Sequence, residues 1–421
     1  MKVPGARSVE LASRLRSRES RNVTFLADDF PVFWESAHGA TVTDVDGNEY
    51  VDCTAAFGVA NAGHANAKVA AAVTEQAHRL IHGMGDVHPS AIRVELLERL
   101  SSVLHPQLAR AFLATTGSEA VEAALKTAIL ATGRSRFAAY HDGYHGLSFG
   151  ALAVCGIERF REPFAAAIDS KPLLLDFPRA HDDAREAAAA ARERLARNRA
   201  LAGLILEPIQ GRGGCIVPPA GYLAEMREVC DELGIVLIVD EIFTGFGRTG
   251  DWFAIDHERF VPDILCIGKA LGSGIPISAA IGRARVMDAW PLSDGEALHT
   301  STFLGNPLGC AAALATIGEL QRLDLPARAA RLGTQLGSRL AALRSRASVL
   351  DVRGRGLVWG VQLRDAREAS AVIKRSLAAG VIFLQSGADG ATVAIHPPLV
   401  IEEPQLQRAI DVLERAIEEV S

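Results

Sequence analysis

The stretch Asp263-Ile264-Leu265-Cys266-Ile267-Gly268-Lys269 is the most informative part of this chain, because it places a lysine at the end of an apolar run. Two similar runs end in carboxylates, since Ile235–Val239 precedes Asp240 and Leu204–Leu206 precedes Glu207. Short apolar runs predict buried parallel strands, and open α/β sheets bind ligands at the carboxyl edge of such strands. We therefore expect the three side chains to share one site, where desolvation lowers the pKa of the lysine and makes its amine nucleophilic.

The rest of the chain repeats this strand pattern. From about residue 65, helical periods alternate with short apolar runs at 111–114, 137–140, 204–206, 235–239 and 264–267. The alternation predicts an α/β fold built from βαβ units around a mostly parallel sheet. After about residue 325 the pattern changes to helix, strand, helix, strand and helix, which indicates a smaller α+β domain. We predict an N-terminal segment (1–60) that packs with a small domain (326–421), and a large domain at 61–325.

Three local signals add detail to this prediction. Residues 1–30 have the pattern of an amphipathic helix and a connector. Asp46-Gly47, inside a region with strand character, is a hairpin turn signal. Residues 181–200 are rich in Ala and Arg, which predicts a surface helix.

Composition limits the possible partners and location. The chain has 421 residues and a net charge of −6, which gives no reason to expect nucleic acid or an anionic membrane as a partner. No apolar span of membrane length and no signal peptide is found. The six cysteines include no C-x-x-C pair, which favours reduced thiols in the cytoplasm. Only six of the 44 basic residues are lysines, so a lysine in an apolar setting favours amine chemistry.

Two further stretches carry candidate binding groups. Thr115–Ala120 follows an apolar run and opens a helix, so Gly117 and Ser118 offer free N–H groups and a hydroxyl to a phosphate; the alternative is a simple Ser N-cap. Tyr144 lies among glycines, where an aromatic ring either stacks on a flat ligand or packs in the core. Asp240 is a helix N-cap or an ion-pair partner, or, next to a pyridine nitrogen, the group that keeps that nitrogen protonated.

Together, a Schiff-base lysine, a carboxylate for a pyridinium, a phosphate cradle and a stacking ring specify pyridoxal 5'-phosphate (PLP). From about residue 30 to 415, the chain resembles the class III (omega-type) aminotransferases of PLP fold type I. The resemblance implies a mostly parallel central sheet with helices on both faces and a smaller domain. It is carried by Val239–Gly250, Ile267–Leu271, Glu207–Gly211 and Thr302–Pro307.

The resemblance implies a role for each matching residue. Lys269 is the catalytic Schiff-base lysine that also moves the proton, and Asp240 is the partner of the pyridine nitrogen. The other residues implied at the cofactor are Gly117 and Ser118 at the phosphate, Tyr144 and Ile242 on the two ring faces, and Glu207.

Thr302 is implied to reach the phosphate of the neighbouring subunit's cofactor. The resemblance therefore implies a homodimer with shared active sites and leaves a tetramer open. No metal is implied.

Three departures from the family pattern concern the substrate. Leu147 and Ala394 stand where relatives that use glutamate carry carboxylate-binding arginines. Arg212 stands where many relatives have Glu, and it either supplies the missing cation or pairs with Glu207. We favour the pairing, because a buried carboxylate without a partner is costly. Phe57 lines the substrate pocket or belongs to the core.

The sequence thus predicts an aminotransferase that moves an amino group from an amine or ω-amino donor to a keto acid of the pyruvate or 2-oxoglutarate type. The donor is not expected to be ornithine, acetylornithine or 4-aminobutyrate held by two arginines. The mechanism is expected to be ping-pong. The alternative within the same fold is an amino-acid racemase, epimerase or aminomutase. The absence of the two carboxylate-binding arginines is also compatible with these enzymes. A decayed cofactor-binding protein is disfavoured by the complete set of cofactor residues.

Overall fold

The computed structural model describes residues 3–168 and 171–420, so positions 1, 2 and 421 of the predicted terminal segments lie outside it. The strands are, in chain order, β1 Trp34–His38, β2 Thr41–Asp44, β3 Glu49–Asp52, β4 Leu108–Ala114, β5 Arg136–Tyr140, β6 Leu173–Leu175, β7 Leu201–Leu206, β8 Val236–Asp240, β9 Ile264–Ile267, β10 Ser278–Arg283, β11 Val349–Arg355, β12 Val358–Leu363, β13 Val381–Ile382, β14 Leu384–Ser386 and β15 Thr392–Ile395.

The helices are, in the same order, α1 Ala6–Arg16, α2 Ala55–Gly58, α3 Ala67–Arg79, α4 Ala91–Ser101, α5 Gly117–Thr132, α6 Phe149–Ala153, α7 Glu158–Arg161, α8 Ala184–Ala196, α9 Tyr222–Leu233, α10 Ala284–Met287, α11 Pro307–Arg322, α12 Leu325–Ala341, α13 Ala366–Ala378 and α14 Glu403–Glu418. Short 3-10 helices lie at Glu162–Ala167, Ala254–His257, Lys269–Gly272 and Ala342–Ser345. Among the described residues, no helix has the length and apolar character needed to cross a membrane.

A seven-stranded sheet forms the centre of the molecule, in the order β4-β10-β9-β8-β7-β5-β6. Strands β5 to β9 pair in parallel, whereas β10 is antiparallel to both of its neighbours. The prediction of an α/β fold with a mostly parallel sheet is therefore confirmed. The apolar runs used for that prediction did not include β6 or β10.

Both faces of the central sheet are covered by helices. In β8, Leu237 and Val239 belong to a core that contains residues of α9, whereas Ile238 belongs to a second core that contains residues of α5. Successive residues of a strand point to opposite faces, so a strand covered on both sides is apolar throughout. This explains why the strands read as continuous apolar runs in the sequence.

The N-terminal and C-terminal parts of the chain share a sheet. β13 pairs in parallel with β3 and so completes the sheet β1-β2-β3-β13, while β11, β12, β15 and β14 form a separate antiparallel sheet. Asp46-Gly47 lies in the hairpin between β2 and β3, and α8 lies within 181–200, as predicted. The three-part domain division itself stays a prediction.

The buried side chain of Arg248 joins these parts of the chain. Its guanidinium donates to the carbonyl oxygens of Leu357 and Pro397 in the C-terminal part and to Oδ1 of Asn61. Burial lowers the pKa of Arg248 to about 9, and the charge of Asp52 partly opposes that shift. The loop that follows β8 is therefore fixed on both sides by hydrogen bonds.

Gly356 provides a test of this packing. It has φ +56°, and a Cβ there would lie 2.4 Å from the carbonyl carbon of Thr249. We expect Gly356→Ala to lower the free energy of unfolding by about 2–4 kcal/mol, measured by urea denaturation. Gly318→Ala is the control, because a Cβ at that helical position meets nothing within 4 Å. Equal stability of the two variants would contradict the packing described.

Candidate active site

A cavity of about 610 Å³ lies at the carboxyl ends of β7, β8 and β9. Glu207, Asp240 and Lys269 all line it, each at or just after the end of one of these strands. The structure therefore brings together the three side chains that the apolar runs placed at one edge of the sheet.

Lys269 lies in this cavity on a strained backbone. Its φ is +41°, in the left-handed region that non-glycine residues rarely adopt, and such strain occurs most often at functional sites. Its Nζ lies 5.4 Å from the centre of the Phe243 ring. Burial lowers the pKa of the amine, while the nearby Asp240 and Glu207 partly oppose that shift. A larger fraction of the amine is therefore neutral and nucleophilic than in water.

Asp240 is held by two hydrogen bonds. Its Oδ2 lies 2.8 Å from Nδ1 of His145, and its Oδ1 accepts a hydrogen bond of 3.1 Å from the backbone N–H of Ile242. Both side chains are buried. Since the carboxylate accepts, Nδ1 of His145 carries the proton. We had not singled out His145 from the sequence, although it directly follows Tyr144.

The first turn of α5 forms one wall of the cavity through Gly117 and Ser118. The N-cap is Thr116, which forms a capping box with Glu119, so the alternative reading of Ser118 as the N-cap is wrong. The Ser118 hydroxyl instead accepts a 3.1 Å hydrogen bond from the backbone N–H of Leu147. A Cβ at position 117 would lie 2.8 Å from Cδ1 of Ile242, so glycine allows this close approach.

Glu207 has backbone partners instead of a cation. Its carboxyl group accepts hydrogen bonds from the N–H groups of Tyr144 (2.9 Å) and Gly211 (3.3 Å). Burial, with a further contribution from the charge of Asp240, raises the pKa of Glu207 to about 7.

The expected pairing of Arg212 with Glu207 is not formed among the residues that the structure describes. The Arg212 guanidinium lies over the rings of Tyr144 and Phe160, with 5.1 Å to each ring centre. The favoured interpretation was therefore wrong, because backbone N–H groups satisfy the carboxyl and aromatic faces hold the guanidinium.

Of the four candidate substrate residues, three line the cavity and one does not. Phe57, Arg212 and Ala394 are in its wall. Leu147 is exposed and lies outside the cavity wall, as does Thr302, so neither reaches the cavity of its own chain. Phe57 is 61% exposed and therefore is not a core residue. It lies in α2, where residues 55–58 all have positive φ.

His396 is a cavity residue that sequence reasoning missed. It is buried, its Nδ1 donates to the carbonyl oxygen of Thr54 at 2.7 Å, and its ring lies edge-on to Phe243. Burial lowers the pKa of His396 to about 4, so it is neutral at physiological pH. Its position two residues after Ala394, at the end of an apolar run, was the available signal.

The residues in this cavity fit PLP. A nucleophilic lysine is suited to the aldehyde, a buried carboxylate with a histidine partner is suited to a protonated pyridine nitrogen, and a helix N-terminus is suited to the phosphate. Buried Nε2 of His145 has no hydrogen-bond partner among the described residues, so this nitrogen can bond a ligand or a water molecule.

Comparison with known proteins agrees with this geometry. The family model for class-III aminotransferases matches residues 25–417. The acetylornithine aminotransferase of Methanosarcina mazei is 37% identical over 386 residues, which cover 92% of each chain.

Two solved structures are also similar. An amine transaminase from an uncultivated Pseudomonas species, crystallised with PLP, has a TM-score of 0.89 at 31% identity and covers 96% of this chain and 99% of its own. An (S)-enantioselective omega-transaminase from Thermomicrobium roseum has a TM-score of 0.91 at 27% identity and covers 98% of each chain. Sequence, cavity and comparisons agree that this chain belongs to the PLP-dependent class III aminotransferases of fold type I.

Proposed function

We propose that this aminotransferase takes its amino group from an amine or ω-amino donor and passes it to a keto acid by a ping-pong mechanism. The observation that carries the donor class is Ala394, which is 2% exposed and lines the cavity where the family resemblance places an arginine. A methyl group there cannot hold the α-carboxylate of an amino-acid donor. The resulting wall suits a donor with a small or apolar substituent.

The side chains of this chain supply the proton chemistry. Bound PLP would act as an electron sink that makes the C–H bond beside the transferred amino group acidic. Lys269 Nζ takes that proton and returns it, and the lowered pKa of the amine increases the fraction that is neutral and able to act as a base. Asp240, oriented by His145, would keep a proton on the pyridine nitrogen of bound PLP. Gly117 and Ser118 at the start of α5 would hold its phosphate, and Tyr144 and Ile242 in the cavity wall would contact its ring.

We also propose that the active enzyme is a homodimer in which Thr302 serves the neighbouring subunit's site. Ile81, Met84 and Phe303 are exposed apolar residues, and two contacts bring the segment around Ile81 close to Thr302. Nδ2 of Asn306 donates to the Ile81 carbonyl oxygen, and the His82 ring centre lies 5.3 Å from that of Phe303. Exposed apolar residues that lie close together mark interfaces.

We further propose that the protein is located in the cytoplasm, which is supported by six free, buried cysteines.

Removing the Schiff-base amine tests the catalytic assignment. We expect Lys269→Ala to abolish turnover while PLP still binds weakly through the phosphate and pyridine contacts. Absorbance spectroscopy of the purified variant would show the cofactor without the lysine-bound band, and an amine-to-pyruvate assay would show no product. Normal turnover by this variant would contradict the assignment of Lys269 as the catalytic lysine.

The pKa of Glu207 predicts a pH dependence of stability. The folded-state pKa lies above the unfolded value, so the stabilising contribution is complete at low pH and is lost as pH rises through about 7. Between pH 6 and 8, the wild type should lose about 1 kcal/mol more unfolding free energy than Glu207→Gln. Urea denaturation at both pH values measures this, with exposed Glu75→Gln as the control. Equal losses in wild type and Glu207→Gln would contradict the raised pKa.

The dimer proposal predicts a mass in solution of twice the chain mass, measured by sedimentation equilibrium. A tetramer would give four times the chain mass.

Mixing subunits tests whether the sites are shared. Inactive Lys269→Ala subunits mixed with Thr302→Ala subunits should give heterodimers with altered PLP affinity in one site only. A monomer that turns over amine at full rate would contradict shared sites.

A further inference from the structure

We propose that Arg212 is the carboxylate-binding residue for the keto-acid acceptor, and that this acceptor carries a single carboxylate, as pyruvate does. The inference rests on the proposed function, because it concerns the second half of that reaction. It adds a binding residue and excludes dicarboxylate acceptors such as 2-oxoglutarate.

The Arg212 side chain is held by aromatic rings but has no ion-pair partner among the described residues. Its guanidinium stacks on Tyr144 and Phe160, and no hydrogen bond or ion pair to that group occurs within residues 3–168 and 171–420. A cation–π contact uses the charge of a guanidinium but does not pair its N–H groups, which stay available as hydrogen-bond donors. These donors are available for a two-point contact with a carboxylate in the cavity that Arg212 lines.

The backbone that carries Arg212 is held firmly. The Arg212 carbonyl oxygen accepts hydrogen bonds from the Gly387 N–H at 3.1 Å and from the Ser386 hydroxyl at 3.2 Å. Two residues further on, the Gly214 carbonyl oxygen accepts a 2.8 Å hydrogen bond from Nε of Arg353. A fixed backbone and a stacked side chain reduce the entropy that binding would cost.

The other basic groups in the described cavity wall are already committed. Lys269 performs the chemistry, and His145 serves Asp240. His396 is neutral at physiological pH and donates its Nδ1 proton to the protein backbone. Among the described residues that line the cavity, Arg212 is therefore the one cation free to bind a substrate.

An acidic group in the wall acts against a second carboxylate. Glu207 lines the cavity and, among the described residues, forms no ion pair with arginine or lysine. A dicarboxylate would place its second charge in this setting without a cation, which costs more than a single paired charge. An acceptor with one carboxylate and an uncharged substituent avoids this cost.

The test separates acceptor binding from donor chemistry. Apoenzyme is loaded with pyridoxamine phosphate, and its conversion to the PLP form is followed by absorbance after addition of pyruvate or 2-oxoglutarate. We expect the wild type to convert at least ten-fold more efficiently with pyruvate. In Arg212→Gln, the pyruvate concentration for half-maximal rate should rise ten-fold or more while the limiting rate changes little, and Arg212→Lys should lie between.

Arg159→Gln is the matched control, because Arg159 stacks on the same Phe160 ring at 4.8 Å but does not line the cavity. Its half-maximal concentration for pyruvate should stay within two-fold of the wild type. An unchanged value in Arg212→Gln, or equal efficiency with 2-oxoglutarate in the wild type, would overturn the proposal.

A binding measurement without turnover completes the test. Propanoate cannot be aminated, and we expect calorimetry to show at least ten-fold weaker propanoate binding to PLP-loaded Arg212→Gln than to wild type or Arg159→Gln. If neither keto acid converts the wild type, the proposed function fails, and the propanoate result alone then decides the role of Arg212. Equal propanoate binding by all three proteins would overturn that role.

Discussion

Parallel strands that end at the same edge of a sheet force their last residues into one volume, and the active site of this protein depends on that constraint. β7, β8 and β9 deliver Glu207, Asp240 and Lys269 to a single cavity. Burying two carboxyls and an amine together is costly unless each charge is satisfied or neutralised. The surrounding structure meets this requirement differently for each group, and those differences create the chemistry.

The three groups illustrate three physical solutions. Asp240 receives a hydrogen bond from His145 and another from the backbone, and so is satisfied. Glu207 has two backbone donors and, among the described residues, no ion-pair partner, and its pKa of about 7 allows it to become neutral by protonation. Lys269 has a lowered pKa, which favours the free amine needed both as nucleophile and as base. Burial in one cavity thus raises the pKa of Glu207 and lowers the pKa of Lys269, while Asp240 is held by hydrogen bonds.

The parts of this site that were predictable from sequence are those fixed by local patterns. Apolar runs located β7, β8 and β9, because a strand covered on both faces leaves a simple signal. The glycine and hydroxyl at the start of α5 were visible for the same reason. The partner of Glu207 was not predictable, because the choice between Arg212 and two backbone N–H groups depends on how distant loops pack. His145 and His396 were missed, since a histidine in a loop carries no sign of its burial.

The departures from the family pattern all concern how the cavity binds a carboxylate. Ala394 removes a cation from the wall, and Leu147 lies outside the cavity of its own chain. Arg212 then remains, within the described part of the chain, a guanidinium without an ion-pair partner; it lies over aromatic rings, while backbone N–H groups satisfy the carboxyl of Glu207. Relatives named acetylornithine aminotransferase and structures named amine transaminase are both similar to this chain, so the wall of the cavity is the better guide to substrate.

The most direct test of the account is a single half-reaction. Purified PLP-loaded enzyme would be mixed with a panel of amines and amino acids without any acceptor, while absorbance and carbonyl product are followed. The account predicts that an amine or ω-amino donor converts the cofactor to its amine form and yields one carbonyl product per active site, then stops. Continued epimerisation or isomerisation of an amino acid, with the lysine-bound cofactor band unchanged, would contradict it.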